Sequence, residues 1–358
     1  MLIPVAKPSI GFEERSAVDA VLQTGMLAQG PEVAAFEGEF SSLVGGRHCI
    51  AVNSGTSALQ LALLASGVKP ADEVIVPSFT FAATANAVRL AGATPIFADI
   101  EESSFCLDPD SVRRAISPRT RAILPVHLYG HPANMEPLLG IAADHDLLIV
   151  EDAAQAHGAS LAGTPVGAFG FAGTFSFYPT KNMTSGEGGM VTTANASADR
   201  KVRLLRNQGM ESRYLNEIVG FNMRMTDVHA AIGRAQLRKL AAWTARRQQT
   251  ADRYDRELRN VVTPPVAEGA VHVYHQYTVR VPDDRDRFVR ELADRGVGTG
   301  IYYPTPVHRL PSFALELDLP RTEVAAQQVV SLPVHPSLTD DEIDRVISVV
   351  NEVAGAGS

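Results

Sequence analysis

The sequence predicts an α/β protein: a mostly parallel β-sheet covered by helices on both sides, followed by a smaller α+β unit. Three observations carry this. Through residue 195, short apolar, β-branched runs alternate with helix-periodic stretches. Those runs are too uniformly apolar to leave one face in water, which suits parallel strands buried between helices. Beyond "GGMVTT" the alternation stops and longer helical patterns take over.

In order, "HCIAVN" precedes the helix "TSALQLALLASG", "DEVIVPS" precedes "FAATANAVRLAG", and "TPIFADI" precedes "DPDSVRRAI". "RAILPVHLY" then precedes "NMEPLLGIAADHD", and "LLIVEDA" closes the series. Ligands in such folds sit beyond the carboxyl ends of the strands. A helix over "ADRKVRLLRNQG" and a Gly-punctuated loop lead to one long helical stretch from about Thr226 to Leu258, read as the bridge between two units. The strand "HVYHQYTVRV", the helix "DRDRFVRELADRG", the turn-rich "GIYYPTPVHRLP" and the helix "TDDEIDRVISVVNEV" form the second unit. A boundary near 245 gives a large domain over 1–245 and a small one over 246–358. The "AGAGS" tail is expected to fray.

A chain of 358 residues is too long for a single small core. Its net charge is −8, and its 32 Lys and Arg are dispersed. That argues against a nucleic-acid footprint or a polybasic membrane patch and points to a small-molecule partner. "MLIPVAKPSIGFEERSAVDA" has no basic segment leading into an apolar one, and no apolar run approaches the ~20 residues of a membrane span, so a cytoplasmic location is expected. The two cysteines, Cys49 and Cys106, have neither CxxC spacing nor a companion His cluster, so reduced, structural thiols and no metal site are expected.

Three stretches hold candidate chemistry. "VNSGTSALQLAL" puts Ser54, Gly55, Thr56 and Ser57 at a strand-to-helix turn, which serves equally as an N-cap or as a phosphate cup. "LLIVEDAAQAHG" leaves Asp152 at the end of an apolar strand, where a carboxylate calls for a cationic partner or an N-cap role, with Gln155 three residues on. "TFSFYPTKNMTSGEGG" sets Lys181 on a loop after an aromatic-rich strand, five residues beyond Ser176. A lysine there is either a solvated surface cation or a partly desolvated amine able to form a Schiff base. Pyridoxal phosphate uses all these parts: a phosphate cup, a ring-stacking aromatic from "SFTFAAT", a carboxylate at the ring nitrogen and a Schiff-base lysine.

The sequence resembles the fold-type I pyridoxal-phosphate enzymes, and among them the DegT/DnrJ/EryC1/StrS sugar aminotransferases, over nearly its whole length. The resemblance rests on nine stretches in order, including "GPEVAAFEGEF", "AVNSGTSALQLAL", "VIVPSFTFAATANAV", "VEDAAQAHGA", "FSFYPTKNMTSGEGGMV" and "GFNMRMTDVHAAIGRAQL". It implies a seven-stranded, mostly parallel sheet in the large domain. It also implies that Lys181 anchors the cofactor and moves the proton, with Asp152 at the ring nitrogen, Gln155 at the ring hydroxyl and Phe81 on the ring face. Gly55, Thr56, Ser57 and Ser176 would hold the phosphate. Asn222 and Arg224 match a loop that in this family reaches the partner subunit's site, so a homodimer with shared sites is implied, and Tyr303 and His308 match positions that often line the sugar pocket.

The implied reaction moves an amino group from L-glutamate or L-glutamine, by way of pyridoxamine phosphate, to a nucleotide-linked ketosugar, with a dTDP-4-keto-6-deoxyhexose favoured. Such products belong to secondary-metabolite or polysaccharide biosynthesis. Alternatives are a 3-keto sugar nucleotide, a keto-cyclitol such as scyllo-inosose, and a cofactor-binding regulatory protein. Sugar dehydratases of the family carry histidine where Lys181 stands, and cysteine desulfurases need a loop cysteine that neither Cys49 nor Cys106 supplies. No GxGxxG follows the first strand, "YPTK" is one residue short of a YxxxK pair, and no GxxxxGK[ST] loop occurs, which argues against dehydrogenases and nucleoside triphosphatases.

Overall fold

The computed structural model describes residues 2–281 and 283–355; the last three residues of the "AGAGS" tail lie outside this range. Seven strands form one sheet: β1 (His48–Val52), β2 (Glu73–Pro77), β3 (Thr94–Ala98), β4 (Thr120–Ile123), β5 (Leu148–Asp152), β6 (Ala172–Ser176) and β7 (Gly189–Thr193). Their order across the sheet is β1-β7-β6-β5-β4-β2-β3. The pairs from β3 through β6 are parallel, and β7 runs antiparallel between β6 and β1. The mostly parallel, seven-stranded α/β architecture expected from the sequence is what the chain adopts.

Two helices, α1 (Phe12–Thr24) and α2 (Pro31–Ser41), precede the sheet, while α3 (Gly55–Ala65), α4 (Ala83–Leu90), α5 (Pro109–Ala115) and α6 (Met135–Asp144) fill the crossovers. One sheet face packs Ile75, Ile123 and Val150 against Leu61, Val88 and Leu138 of those crossover helices. The other buries Phe36 and Phe40 of α2 against Phe175 and Phe177, with ring centroids 5.1–5.6 Å apart. In register, Asp152 of β5 pairs with Thr174 of β6, so Asp152 and Ser176 finish at the same edge of the sheet.

After β7 come α7 (Ala196–Arg206), α8 (Asp227–Leu237) and α9 (Leu240–Glu257). The stretch expected as one helix from Thr226 to Leu258 is therefore two. The break at Arg238–Lys239 is pinned from outside: Gln236 Nε2 donates to Glu14 Oε1 (2.7 Å) and Ser9 O (2.8 Å), and Lys239 Nζ meets the same Glu14 oxygen at 2.7 Å. Along α9, Leu240 packs into the Phe-rich core, whereas Ala251 and Tyr254 enter a separate core with Tyr277, Val330, Val346 and Val350. That second core also takes Ile3, whose backbone bridges to Val297.

The second core covers an antiparallel pair, β8 (Tyr277–Arg280) and β9 (Val329–Leu332), with α10 (Arg285–Asp294) and α12 (Asp340–Gly355); α11 (Pro320–Gln328) leads into β9. The expected strand over "HVYHQYTVRV" is shorter than its apolar pattern suggested. Val273 N–H and Gln276 N–H donate instead to the carbonyls of Gly130 and Tyr129, which draws residues 273–276 off the small sheet and over the end of the large one. Among the described residues no helix is long and apolar enough to cross a membrane.

Candidate active site

The carboxyl ends of β1, β5 and β6 open into a cavity of about 630 Å3. At one side α3 begins. Ser54 caps it, its Oγ accepting from Ser57 N–H at 3.1 Å and meeting Ser57 Oγ at 2.9 Å, and Gly55 and Thr56 of the first turn line the cavity. Gly55 has no room for a side chain, since a Cβ there would stand 2.7 Å from Cβ of Ser176. A helix start with Ser176 beside it can receive an anion through N–H groups and hydroxyls.

Asp152 forms the floor. Its Oδ2 accepts from Thr84 Oγ1 (2.8 Å) and its Oδ1 from Ala154 N–H (3.1 Å), and among the described residues it joins no salt bridge. Burial pushes its carboxyl above the usual range, opposed by those hydrogen bonds and by the charge of Lys181. Its sequence neighbour Glu151 is fully buried and holds the rest of the turn: it accepts from the N–H groups of Gly167 (2.7 Å), Phe169 (2.8 Å) and Gly170 (2.9 Å), with His127 Nε2 at 3.1 Å. His127 Nδ1 accepts from Ala133 N–H, which puts the ring proton on Nε2, toward Glu151.

Gln155 points into the same space, with Oε1 accepting from Tyr129 N–H (2.8 Å) and Nε2 donating to the Tyr303 hydroxyl (2.9 Å). Lys181 follows a tight turn in which its own N–H donates to Tyr178 O at 2.9 Å. It is enclosed by protein yet forms part of the cavity wall, so the amine meets the cavity and not bulk water. Burial lowers its pKa to about 8, against the opposing pull of Asp152. His275 shares that wall and is kept neutral, because burial and the nearby Lys181 and Arg247 charges hold it well below its usual range.

Phe81 stands at the mouth, 59% exposed, its ring centroid 6.0 Å from that of Tyr303. Gly55, Thr56, Phe81, Asp152, Gln155, Ser176, Lys181 and Tyr303 are thus brought to one cavity. Four others are not on its wall. Ser57 turns its hydroxyl back to Ser54. His308 is buried elsewhere, its Nδ1 2.6 Å from Ser78 Oγ and its Nε2 3.1 Å from Glu323. Asn222 bridges Asn207 through its backbone, and Arg224 Nη1 donates to Asn207 Oδ1 at 2.8 Å.

Sequence reasoning missed Thr84, His275, Gln276, Glu187 and the Val5–Ala6 segment, all on the cavity wall. Thr84 carried a usable signal, lying one helical turn after Phe81, and Glu187 lies six residues after Lys181 in the same quoted stretch; His275, Gln276 and Val5–Ala6 arrive from distant segments with no local mark.

This donor set fits pyridoxal phosphate: an anion cup that a Cβ at Gly55 would fill, a buried carboxylate without a cation of its own, an amide, and an amine whose proton is loosely held. The comparisons with known proteins agree. The model of the DegT/DnrJ/EryC1/StrS aminotransferase family matches residues 8–351. The chain is 45% identical to the erythromycin biosynthesis sensory transduction protein EryC1 of Saccharopolyspora erythraea, over 96% of this chain and 97% of the relative. It is 44% identical to the dTDP-3-amino-3,4,6-trideoxy-alpha-D-glucose transaminase of Streptomyces venezuelae (98% and 95%) and 41% identical to the GDP-perosamine synthase of Caulobacter vibrioides (98% and 98%). A crystal structure of S. venezuelae DesV in complex with a ketimine intermediate superposes with a TM-score of 0.92 at 44% identity, covering 96% of this chain and 94% of that one. Other solved relatives hold the cofactor as pyridoxal or pyridoxamine phosphate. The chain belongs to the DegT/DnrJ/EryC1/StrS aminotransferase family and is a pyridoxal-phosphate-dependent sugar aminotransferase.

Proposed function

We propose that this aminotransferase transfers the amino group of L-glutamate to a dTDP-linked 4-keto-6-deoxyhexose, acting as a homodimer whose two sites are each completed by the partner subunit. One observation carries the chemistry: Lys181, with its proton held only to about pH 8, shares an enclosed wall with Asp152 and the Gly55–Ser176 cup. Bound pyridoxal phosphate supplies an electron sink for charge developing at the donor's α-carbon and a carrier for the amino group. The Nζ of Lys181, whose proton burial makes easier to lose, is then the base that takes the α-proton and the acid that returns it. Asp152, held in place by Thr84 and Ala154, would face the ring nitrogen, whose positive charge would favour the ionised carboxylate. Gln155 would bind the ring hydroxyl, Phe81 cover the ring, and Gly55, Thr56 and Ser176 hold the phosphate.

The shape of the cavity supports a nucleotide sugar. At about 630 Å3 it lies within the roughly 300–1,000 Å3 of small-molecule pockets, and beyond the cup its rim carries Phe81, Tyr178, Tyr302 and Tyr303, amphipathic faces suited to sugar and base. Glu187 adds an acceptor for sugar hydroxyls. Lys181 is the one Lys or Arg among the described residues of that wall, too little positive charge for a diphosphate as well as the cofactor. Arg224 and Asn222, which sit off this chain's cavity, would supply the missing contacts in the partner's site.

The dTDP reading takes support from the Streptomyces relative, and the same printed name favours a second reading, amination at C3 in place of C4. A screen of dTDP-, UDP- and GDP-linked 3- and 4-ketosugars and scyllo-inosose, each with glutamate or glutamine and read by mass spectrometry, tests this. The expected product is a dTDP-4-amino-6-deoxyhexose formed with glutamate. Exclusive amination of a GDP- or UDP-linked sugar, or of scyllo-inosose, would overturn the substrate assignment.

A further inference from the structure

A second, much smaller cavity of about 30 Å3 shares Thr180, Lys181, His275 and the Val5–Ala6 segment with the main one. Lys7, Lys181, Arg247, His275 and His335 line it, and Trp243 forms part of its wall. Among the described residues no Asp or Glu does. The wall comes from five separate stretches: the N-terminal segment, the lysine loop, α8–α9, and the segments around His275 and His335.

Arg247 makes this junction unusual. It is 6% exposed, its Nη1 donates to the carbonyls of Tyr274 (3.1 Å) and Val334 (3.4 Å), and its Nε is buried without a partner. Arg206, at similar depth, has its charge met by Glu37 at 2.6 Å. Arg247 has no carboxylate within salt-bridge distance among the described residues. His335 Nε2, on the same wall, is also buried without a partner. A buried guanidinium without a counter-charge is costly enough that one is usually provided.

We propose that a compact monovalent anion, either a halide or a carboxylate group, occupies this cavity and balances Arg247, with Lys181 and Lys7 adding positive charge around it. The size sets the class. About 30 Å3 accepts one small ion or a couple of waters, each needing roughly 10–15 Å3, and is too small for a phosphate or a sugar. An anion here lies beside the catalytic lysine, so its presence makes the amine hold its proton more tightly and its absence releases it. The ionic composition around the protein is thereby linked to the reactivity of Lys181.

The chain has a single tryptophan, and it is on this wall, so its fluorescence reports the cavity directly. Bromide is titrated into the holoenzyme at constant ionic strength with gluconate as the bulky balancing anion. The expected result is a saturable quench of Trp243 that chloride reverses, lost in Arg247→Met and retained but weakened in Arg247→Lys. Glutarate, a dicarboxylate without an amine, separates the two sources: competition with bromide identifies a carboxylate subsite, and indifference identifies a halide site. Anomalous scattering from crystals grown in bromide gives a second measurement that does not depend on the Arg247 variants folding. A purely linear quench equal in wild type and Arg247→Met, or an ordered water only at this position in bromide crystals, would overturn the proposal.

Discussion

At the scale of single residues, function turns on how Lys181 and Asp152 hold or lose a proton. A free lysine gives up its proton near pH 10.4 and Lys181 near 8, because its surroundings cannot solvate the ammonium. Only the neutral amine captures a carbonyl. The rate at which cofactor-free protein takes up pyridoxal phosphate should therefore rise about tenfold per pH unit up to about 8 and then level off, followed by absorbance after mixing. A plateau delayed to pH 10 would mean that the amine is solvated. Stability carries the same signature. Between pH 8 and about 10.4 the unfolded chain binds more protons at this residue than the folded one, so unfolding free energy rises with pH across that window, while below 8 the burial cost is constant. Lys181→Met in the cofactor-free protein should be more stable than wild type by about 1–3 kcal/mol at pH 7, the gain vanishing toward pH 10.

Asp152 depends on a neighbour in the same way. Thr84 donates a hydrogen bond to its Oδ2, and hydrogen bonds to a charged group contribute about 1.5–3 kcal/mol. Thr84→Val keeps the shape and removes the donor. Turnover should fall about 10- to 100-fold with cofactor still bound, as judged by kcat alongside the absorbance of the bound cofactor. Unchanged kcat would show that the hydroxyl serves packing alone.

At the scale of elements, the site is a matter of where strands stop. β5 ends in two carboxylates that point to opposite sides: Asp152 into the cavity, Glu151 into a nest of three amides and His127 that fixes the following turn. The contact between α3 and β6 is as close as backbones allow. Gly55→Ala forces a Cβ to within 2.7 Å of Ser176, so the cup must widen. Retention of pyridoxal phosphate should weaken tenfold or more while the melting temperature of cofactor-free protein changes by only a few degrees, about 1 kcal/mol or less in a chain this long. Equal losses of both would place the strain in the fold and not in the cup.

Much at this scale was legible in the sequence, because strand-helix alternation and the turn at Ser54–Ser57 are local signals. Asp152 and Lys181 could be read for the same reason: a carboxylate ending an apolar strand and a lysine after an aromatic run are out of keeping with their surroundings. What could not be read depends on contacts between distant segments. The break between α8 and α9 arises from Glu14, more than 200 residues earlier. The expected role of His308 rested on its match to positions that line the sugar pocket in the family, whereas the fold turns it inward onto Ser78, 230 residues away. His275 reaches the site because the backbone at 273–276 bonds to Tyr129 and Gly130, and no periodicity in "HVYHQYTVRV" encodes that.

For the whole molecule, the cavity is roofed by the second unit: His275, Gln276, Tyr303 and Val334 come from beyond residue 245 and the cup from before it. The proposed completion of each site by a partner chain is open to a subunit-mixing test. Lys181→Ala and Asn222→Ala are each expected to be inactive or nearly so. In a randomly mixed population half the dimers pair one of each, and one of their two sites has both residues intact, so mixing should restore about one quarter of wild-type activity. Activity no greater than the sum of the two variants would remove Asn222 from the partner's site.

The bond between Gln155 and Tyr303 reaches further than its length. Gln155 also receives Tyr129 N–H, and the Tyr129 hydroxyl donates to Tyr302 O, so the groups beneath the cofactor's seat form a clasp between the two units of the chain. Coupling of this kind is reciprocal: whatever free energy the closed clasp lends to cofactor binding, the bound cofactor returns to holding the units together. A cell short of vitamin B6 would then hold an enzyme that is idle and also more loosely hinged, and more open to proteases at that joint.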